Sequence, residues 1–192
     1  MQATAKTLRL VTAEPPNSQP GELETLFRAH HDRVFRTAHR ITGSPADAED
    51  VLQTVFLRLA KGPETYDLSE NPAAYLSRAA INASLDLMRS RTRMKSVGLS
   101  DIEAAGLESK WQSPEAEHAD RELQLLIRQA VAGLGKTAGE MFVLRYYEGY
   151  DNQEIAKLLD TSQMVVGVVL HRARTRLRKE IGHFLEKHHE KQ

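Results

Sequence analysis

The 192-residue sequence predicts an all-α protein: two small helical domains joined by a flexible linker, the second a helix-turn-helix. Three observations lead there. Apolar residues recur at spacings of three and four over long stretches, the period of an amphipathic helix. Period-two alternation of Val, Ile, Tyr and Phe is scarce, and aromatic residues make up 6% of the chain. Between 96 and 117 the periodicity fades, and Gly98, Gly106, Ser109, Ser113 and Pro114 punctuate an acidic stretch that reads as a connector. Trp111 is its one bulky anchor candidate.

The elements follow in order. Residues 1–21 read as a loose tail ended by Pro15, Pro16, Pro20 and Gly21. Leu23, Leu26, Phe27, Val34, Ala38 and Ile41 mark a helix over 22–42, stopped by Gly43. Ser44 caps the next helix, with Pro45 at its first position and Asp47 closing a capping-box-like pattern. Ala48, Val51, Leu52, Val55, Phe56 and Leu59 form its apolar stripe, and Lys61-Gly62-Pro63 ends it. Asn71-Pro72 opens a third helix by the same cap-then-proline logic. Its inward residues are Leu76, Ala79, Ala80, Ala83 and Leu87, while Arg78, Asn82, Arg89 and Arg93 share a roughly opposite face. These helices make a first domain over 22–95, and 96–117 is the linker.

The second domain spans 118–187. Leu123, Ile127, Val131 and Leu134 mark its first helix. Thr137 with Glu140 reads as a capping box opening another, which Gly149 ends. Asp151 with Glu154 is a second box, opening a short helix through Leu159. Asp160-Thr161-Ser162 turns the chain into a long helix carrying Val166, Leu170, Ala173, Leu177 and Ile181. A short helix, a three-residue turn and a longer helix is the helix-turn-helix plan, whose second helix can lie in a major groove.

Composition narrows the function. With no cysteine there are no disulfides, thiolate nucleophiles or Cys-rich zinc sites. The eight histidines show no HExxH and no paired helical spacing with carboxylates. No Gly-rich phosphate loop or nucleophile elbow is present. The expectation is no metal, no cofactor and no enzyme. The apolar run Met164–Leu170 is far short of the roughly 20 residues a bilayer span needs. The N-terminus lacks the apolar core of a signal peptide, so a cytoplasmic protein without membrane insertion is expected.

Net charge is zero, yet unevenly spread. Residues 78–95 carry five bases against one acid, 99–124 seven acids against two bases, and 171–192 seven bases against three acids. Two cationic patches separated by an acidic connector suggest a two-part contact with a polyanion.

PADAEDVLQTVFLRL (45–59) closely resembles region 2 of the extracytoplasmic-function sigma factors, in the sigma-70 superfamily, and AYLSRAAINASLDLMR (74–89) resembles the next part of that region. LRYYEGYDNQEIAKLL (144–159) and LHRARTRLR (170–178) resemble region 4. The resemblance covers about 22–95 and 118–182, in the family's order. It implies a transcription initiation factor that binds core RNA polymerase, directs it to promoter DNA and opens the −10 element. An anti-sigma factor is an implied further partner. The polymerase site would lie on the 47–59 helix, at Asp47, Glu49, Asp50, Gln53, Phe56 and Arg58. The −10 contacts would come from Tyr66, Arg78, Asn82, Arg89, Arg91 and Arg93, and the −35 contacts from Ser162, Gln163, His171, Arg172, Arg174 and Arg176. The chemistry suits these roles: Tyr66 could stack on an extruded base for about 1–3 kcal/mol, and arginines neutralise phosphates. Asp86 reads as an orienting partner for Asn82 or Arg89.

One departure stands out. Where the family carries a pattern like glycine-threonine-valine-lysine-serine-arginine-leucine, this chain has Met164, Val165, Val166, Gly167, Val168, Val169 and Leu170. Val165, Val168 and Val169 are expected on the outward face, either covered by the first domain or forming a protein-binding patch. Such a surface makes no bidentate base contact and offers thymine methyls van der Waals contact at most, so reduced −35 specificity is expected. It motivates an alternative, a sigma-like interaction module that binds an anti-sigma protein. A stand-alone helix-turn-helix repressor is disfavoured, since it needs no polymerase site.

Overall fold

The computed structural model describes residues 20–61, 71–96 and 114–189. Among these there are seven helices and no strand: α1 (Pro20–Thr42), α2 (Pro45–Ala60), α3 (Pro72–Ser96), α4 (Pro114–Gly133), α5 (Lys136–Tyr146), α6 (Asn152–Leu158) and α7 (Gln163–His189). The expected tail over 1–19, Tyr66 with most of its loop, and Trp111 lie outside the described residues. The span expected as a linker is partly helical: α3 reaches Ser96 and α4 begins at Pro114.

Proline opens four of these helices, Pro20, Pro45, Pro72 and Pro114. Its fixed φ suits the first turn, and its missing N–H is no loss there. Ser44 Oγ accepts from Asp47 N, and Asn71 Oδ1 accepts from Ala74 N at 3.0 Å. Gly43 leaves α1 at φ +73, a left-handed conformation that costs glycine nothing. Asp151 and Glu154 form the full capping box of α6. The other expected box does not form. Gly135 is the N-cap of α5, Thr137 falls inside the first turn, and the Glu140 carboxylate is taken by Arg78.

Two apolar cores result. Val34, Ala38, Val51, Val55, Leu59, Leu76 and Ala80 fill the space between α1, α2 and α3. The second core joins Met141, Leu144, Ile155, Val166, Leu170 and Leu177 of α5–α7 to Val131 of α4. It also takes in Ile41, Ile81, Leu85 and Met88 from α1 and α3. The two halves are therefore packed together, and α3 is buried on two sides. Its arginine-bearing side, expected to be a solvated face, is one of them.

The turn between α6 and α7 places Asp160 at φ 48, a conformation that a short polar residue tolerates. Thr161 N donates to Ala156 O at 2.9 Å, and Ser162 Oγ accepts from Val165 N at 3.2 Å. These bonds fix α7 against α6 in the helix-turn-helix arrangement.

Two substitutions test this packing by chemical denaturation. Leu76, fully buried in the first core, should lose about 2–5 kcal/mol of stability as Leu76→Ala. Asp151→Ala should cost about 1 kcal/mol through loss of the cap.

Candidate polymerase and nucleic-acid interfaces

The expected polymerase helix divides into two faces. Asp47 and Phe56 point inward: Asp47 is 2% exposed and Phe56 8%. Phe56 meets Phe27 edge-on, ring centroids 4.9 Å apart. Asp47 is gripped by both terminal nitrogens of Arg91, from α3. A carboxylate at the third position of a helix already faces the positive end of its dipole, and a two-pronged guanidinium completes its shell. Asp47 and Arg91, expected to contact polymerase and DNA respectively, thus bind each other and pin α2 to α3.

Glu49, Asp50, Gln53 and Arg58 are exposed. So is Leu57, at 58%. Sequence reasoning passed over Leu57. Its signal was an apolar residue four positions after Gln53, off the inward stripe. The outward side of α2 is thus a mixed-charge surface with one large apolar side chain at its centre, suited to a partner protein.

The −10 candidates on α3 meet the second half of the chain. Arg78 Nε donates to Glu140 Oε1 at 2.8 Å, and its Nη1 donates to Leu158 O at 3.0 Å. Asn82 Nδ2 returns to Arg78 O at 3.1 Å. Arg89 Nε donates to Ala132 O at 2.9 Å and its Nη1 to Asp86 at 2.5 Å, which bears out Asp86 as the orienting partner of Arg89. Asn82 Oδ1 and Arg89 Nη2 are buried with no hydrogen-bond partner among the described residues. Each such orphan costs about 1–3 kcal/mol. Arg93 is exposed.

α1 joins the same interface. Arg40 donates to Tyr147 O, Arg40 Nη1 lies 3.4 Å from Glu148 Oε1, and Thr37 Oγ1 donates to the same carboxylate at 3.2 Å. The Arg128 guanidinium presses against Gly43, where a Cβ would come within 2.2 Å of it. Burial pushes the Tyr147 phenol above its ordinary pKa, with Arg128 pulling the other way. The phenol therefore stays neutral across the physiological range.

On α7 the expected −35 residues Ser162, Gln163, His171, Arg172, Arg174 and Arg176 are all exposed. Arg176 pairs with Glu180 at 2.9 Å. Met164, Val165 and Val168 are exposed at 79%, 45% and 45%. Val169 departs from expectation: it is partly buried and packs on the second core, because Val166 and Leu170 bring its side of the helix inward. The outward patch is therefore Met164, Val165 and Val168, and the first domain does not cover it.

Among the described residues no group of three or more His, Asp or Glu is placed to hold a metal, and no helix is long and apolar enough to cross a membrane.

Comparison with known proteins matches residues 26–94 to sigma-70 region 2 and residues 124–177 to sigma-70 region 4. The RNA polymerase sigma-E factor of Streptomyces coelicolor is 32% identical over 160 residues, which cover 83% of this chain and 86% of that protein. The ECF RNA polymerase sigma factor SigL of Mycobacterium tuberculosis is 32% identical over 164 residues, 83% of this chain and 90% of that one. Among solved structures, the sigma factor RpoE of Bartonella quintana, crystallised with the anti-sigma factor NepR, superposes with a TM-score of 0.50 at 16% identity. That match covers 84% of this chain and 97% of the other, and it shows a shared fold. Two helical blocks in this order, with these sequence matches across both, place the chain in the sigma-70 family, among the extracytoplasmic-function RNA polymerase sigma factors.

Proposed function

We propose that the chain is a non-enzymatic transcription initiation factor that docks on core RNA polymerase through the outward side of α2 and guides it to promoters. The observation that carries this reading is the division of α2. Its inward residues are fully used by the fold, while Glu49, Asp50, Gln53, Leu57 and Arg58 stand exposed with no internal task that their spacing requires. The α3 arginines, Asn82 and Tyr66 then serve the −10 element, and α6–α7 approaches the −35 element. In vitro transcription with core enzyme on genomic fragments tests it. Start sites that depend on the added chain are expected, and silence on every fragment would overturn the reading.

Docking on α2 and DNA contact by α3 separate in variants. Asp50→Lys with Arg58→Glu should abolish co-purification with core enzyme while leaving helical content and melting temperature unchanged, since both side chains are exposed. Arg93→Ala should lower open-complex yield and reduce the salt slope of promoter binding by about one unit.

The exposed tip of α7 favours a second reading, in which Met164, Val165 and Val168 meet an anti-sigma protein rather than base edges. Val168→Lys separates the two. If the tip faces DNA, an added cation there tightens promoter binding at low salt. If it faces a protein, promoter binding stays level and capture of the anti-sigma protein is lost.

A further inference from the structure

The contacts between the two halves share one chemistry. Arg40 donates to the carbonyl of Tyr147, the C-cap of α5. Arg78 donates to the carbonyl of Leu158, the last residue of α6. Arg89 donates to the carbonyl of Ala132, one residue before the end of α4. Three helices thus turn their C-terminal ends, each carrying roughly half a negative charge, onto arginines of α1 and α3. Glu140 and Glu148 add two carboxylates to the same surface. A line of carbonyl oxygens and carboxylates facing a row of guanidinium groups is the arrangement a phosphate backbone would otherwise supply.

We propose that the C-terminal ends of α4, α5 and α6, with Glu140 and Glu148, act as an internal mimic of the nucleic-acid backbone, occupying the cationic side of α1 and α3 so that the free chain is closed to DNA. The fit is imperfect in a way that suits a displaceable cover. Asn82 Oδ1 and Arg89 Nη2, on the two residues best able to address a base edge and a phosphate, are buried and unbonded in this arrangement. The cover stops short of α2, whose outward residues remain exposed. A protein partner can therefore engage α2 while α3 is still closed, and core enzyme, which rests on the reading above, would be the partner that opens it.

Because the chain has no cysteine, Arg28→Cys on α1 and Lys179→Cys on α7 accept a fluorescent donor and acceptor without competing labels. Energy transfer is measured in the free chain, with core enzyme, and with a random-sequence 20-nucleotide DNA strand. Affinity for that strand is read by anisotropy. Glu140→Gln with Glu148→Gln should lower the transfer and tighten strand binding about tenfold, which corresponds to roughly 1.4 kcal/mol. A charge-matched control at exposed positions, Glu22→Gln with Asp120→Asn, should change it less than about twofold, and adding Arg78→Ala should cancel the gain. Equal affinities for the interface variant and the control would overturn the proposal. In the unmodified chain the strand itself should lower the transfer, since competition is mutual. Strand binding with unchanged transfer would overturn the proposal whether or not the variants fold. If strand and variants open the chain but core enzyme neither binds nor changes the transfer, the mimicry stands and the polymerase reading falls.

Discussion

Arg78 reaches from α3 to the Glu140 carboxylate and to the final carbonyl of α6, and much else depends on that reach. It is one of three arginine contacts to helix ends, so it works as a C-cap delivered across the interface. Around it, Ile81, Leu85 and Met88 enter the second core. Burying each of these apolar side chains is worth about 1.5–3 kcal/mol. Against this stand two orphaned polar atoms at about 1–3 kcal/mol each and the ordering of long arginine side chains. The terms are of similar size and opposite sign. An interface balanced in this way responds to a competing ligand, where a uniformly apolar one would not.

The same balance explains why α3 does so much. A helix in a two-layer arrangement buries one stripe and leaves the other to solvent. α3 buries Leu76, Ala80 and Ala83 in one core and Ile81, Leu85 and Met88 in the other. Ends of α3 serve as anchors too: Arg91 clamps Asp47 at the start of α2, and Arg89 holds the end of α4. A surface that reads DNA in one state must be housed somewhere in the other, and here its housing is the second domain.

Much of this was legible in the sequence. The helices, their proline starts, the Gly43 stop and the Asp151–Glu154 box follow from local rules, so period and cap residues suffice to place them. The resemblance of 45–59, 74–89, 144–159 and 170–178 located both regions because those motifs lie within single helices or adjacent pairs. What local rules miss is partnership across distance. Asp47 reads as a cap and polymerase residue until Arg91, 44 positions away, takes both its oxygens. Glu140 reads as the closing half of a capping box until Arg78 claims it. One signal was available for the two-sided burial: Ile81, Leu85 and Met88 recur at spacings of four and three beside Arg78, Asn82 and Arg89. An apolar stripe interleaved with cations marks a face that is covered in one state and charged in another.

The far end of the chain follows a different logic, and the contrast bears on how promoters would be chosen. The first turns of α7 present Met164, Val165 and Val168, which can exclude water from an apolar surface but cannot satisfy a base edge by hydrogen bonding. Cations begin only at Arg172, two helical turns later, where they can meet phosphate but carry no base information. In the proposed reading α7 therefore contributes affinity and placement, and discrimination between promoters falls to α3 and the loop before it. That loop and α3 are also the elements whose cationic neighbours the second domain covers. Selectivity and closure then reside on one surface. The chain would gain the ability to choose a promoter only as it opens, because the groups that read DNA are the groups that hold it shut.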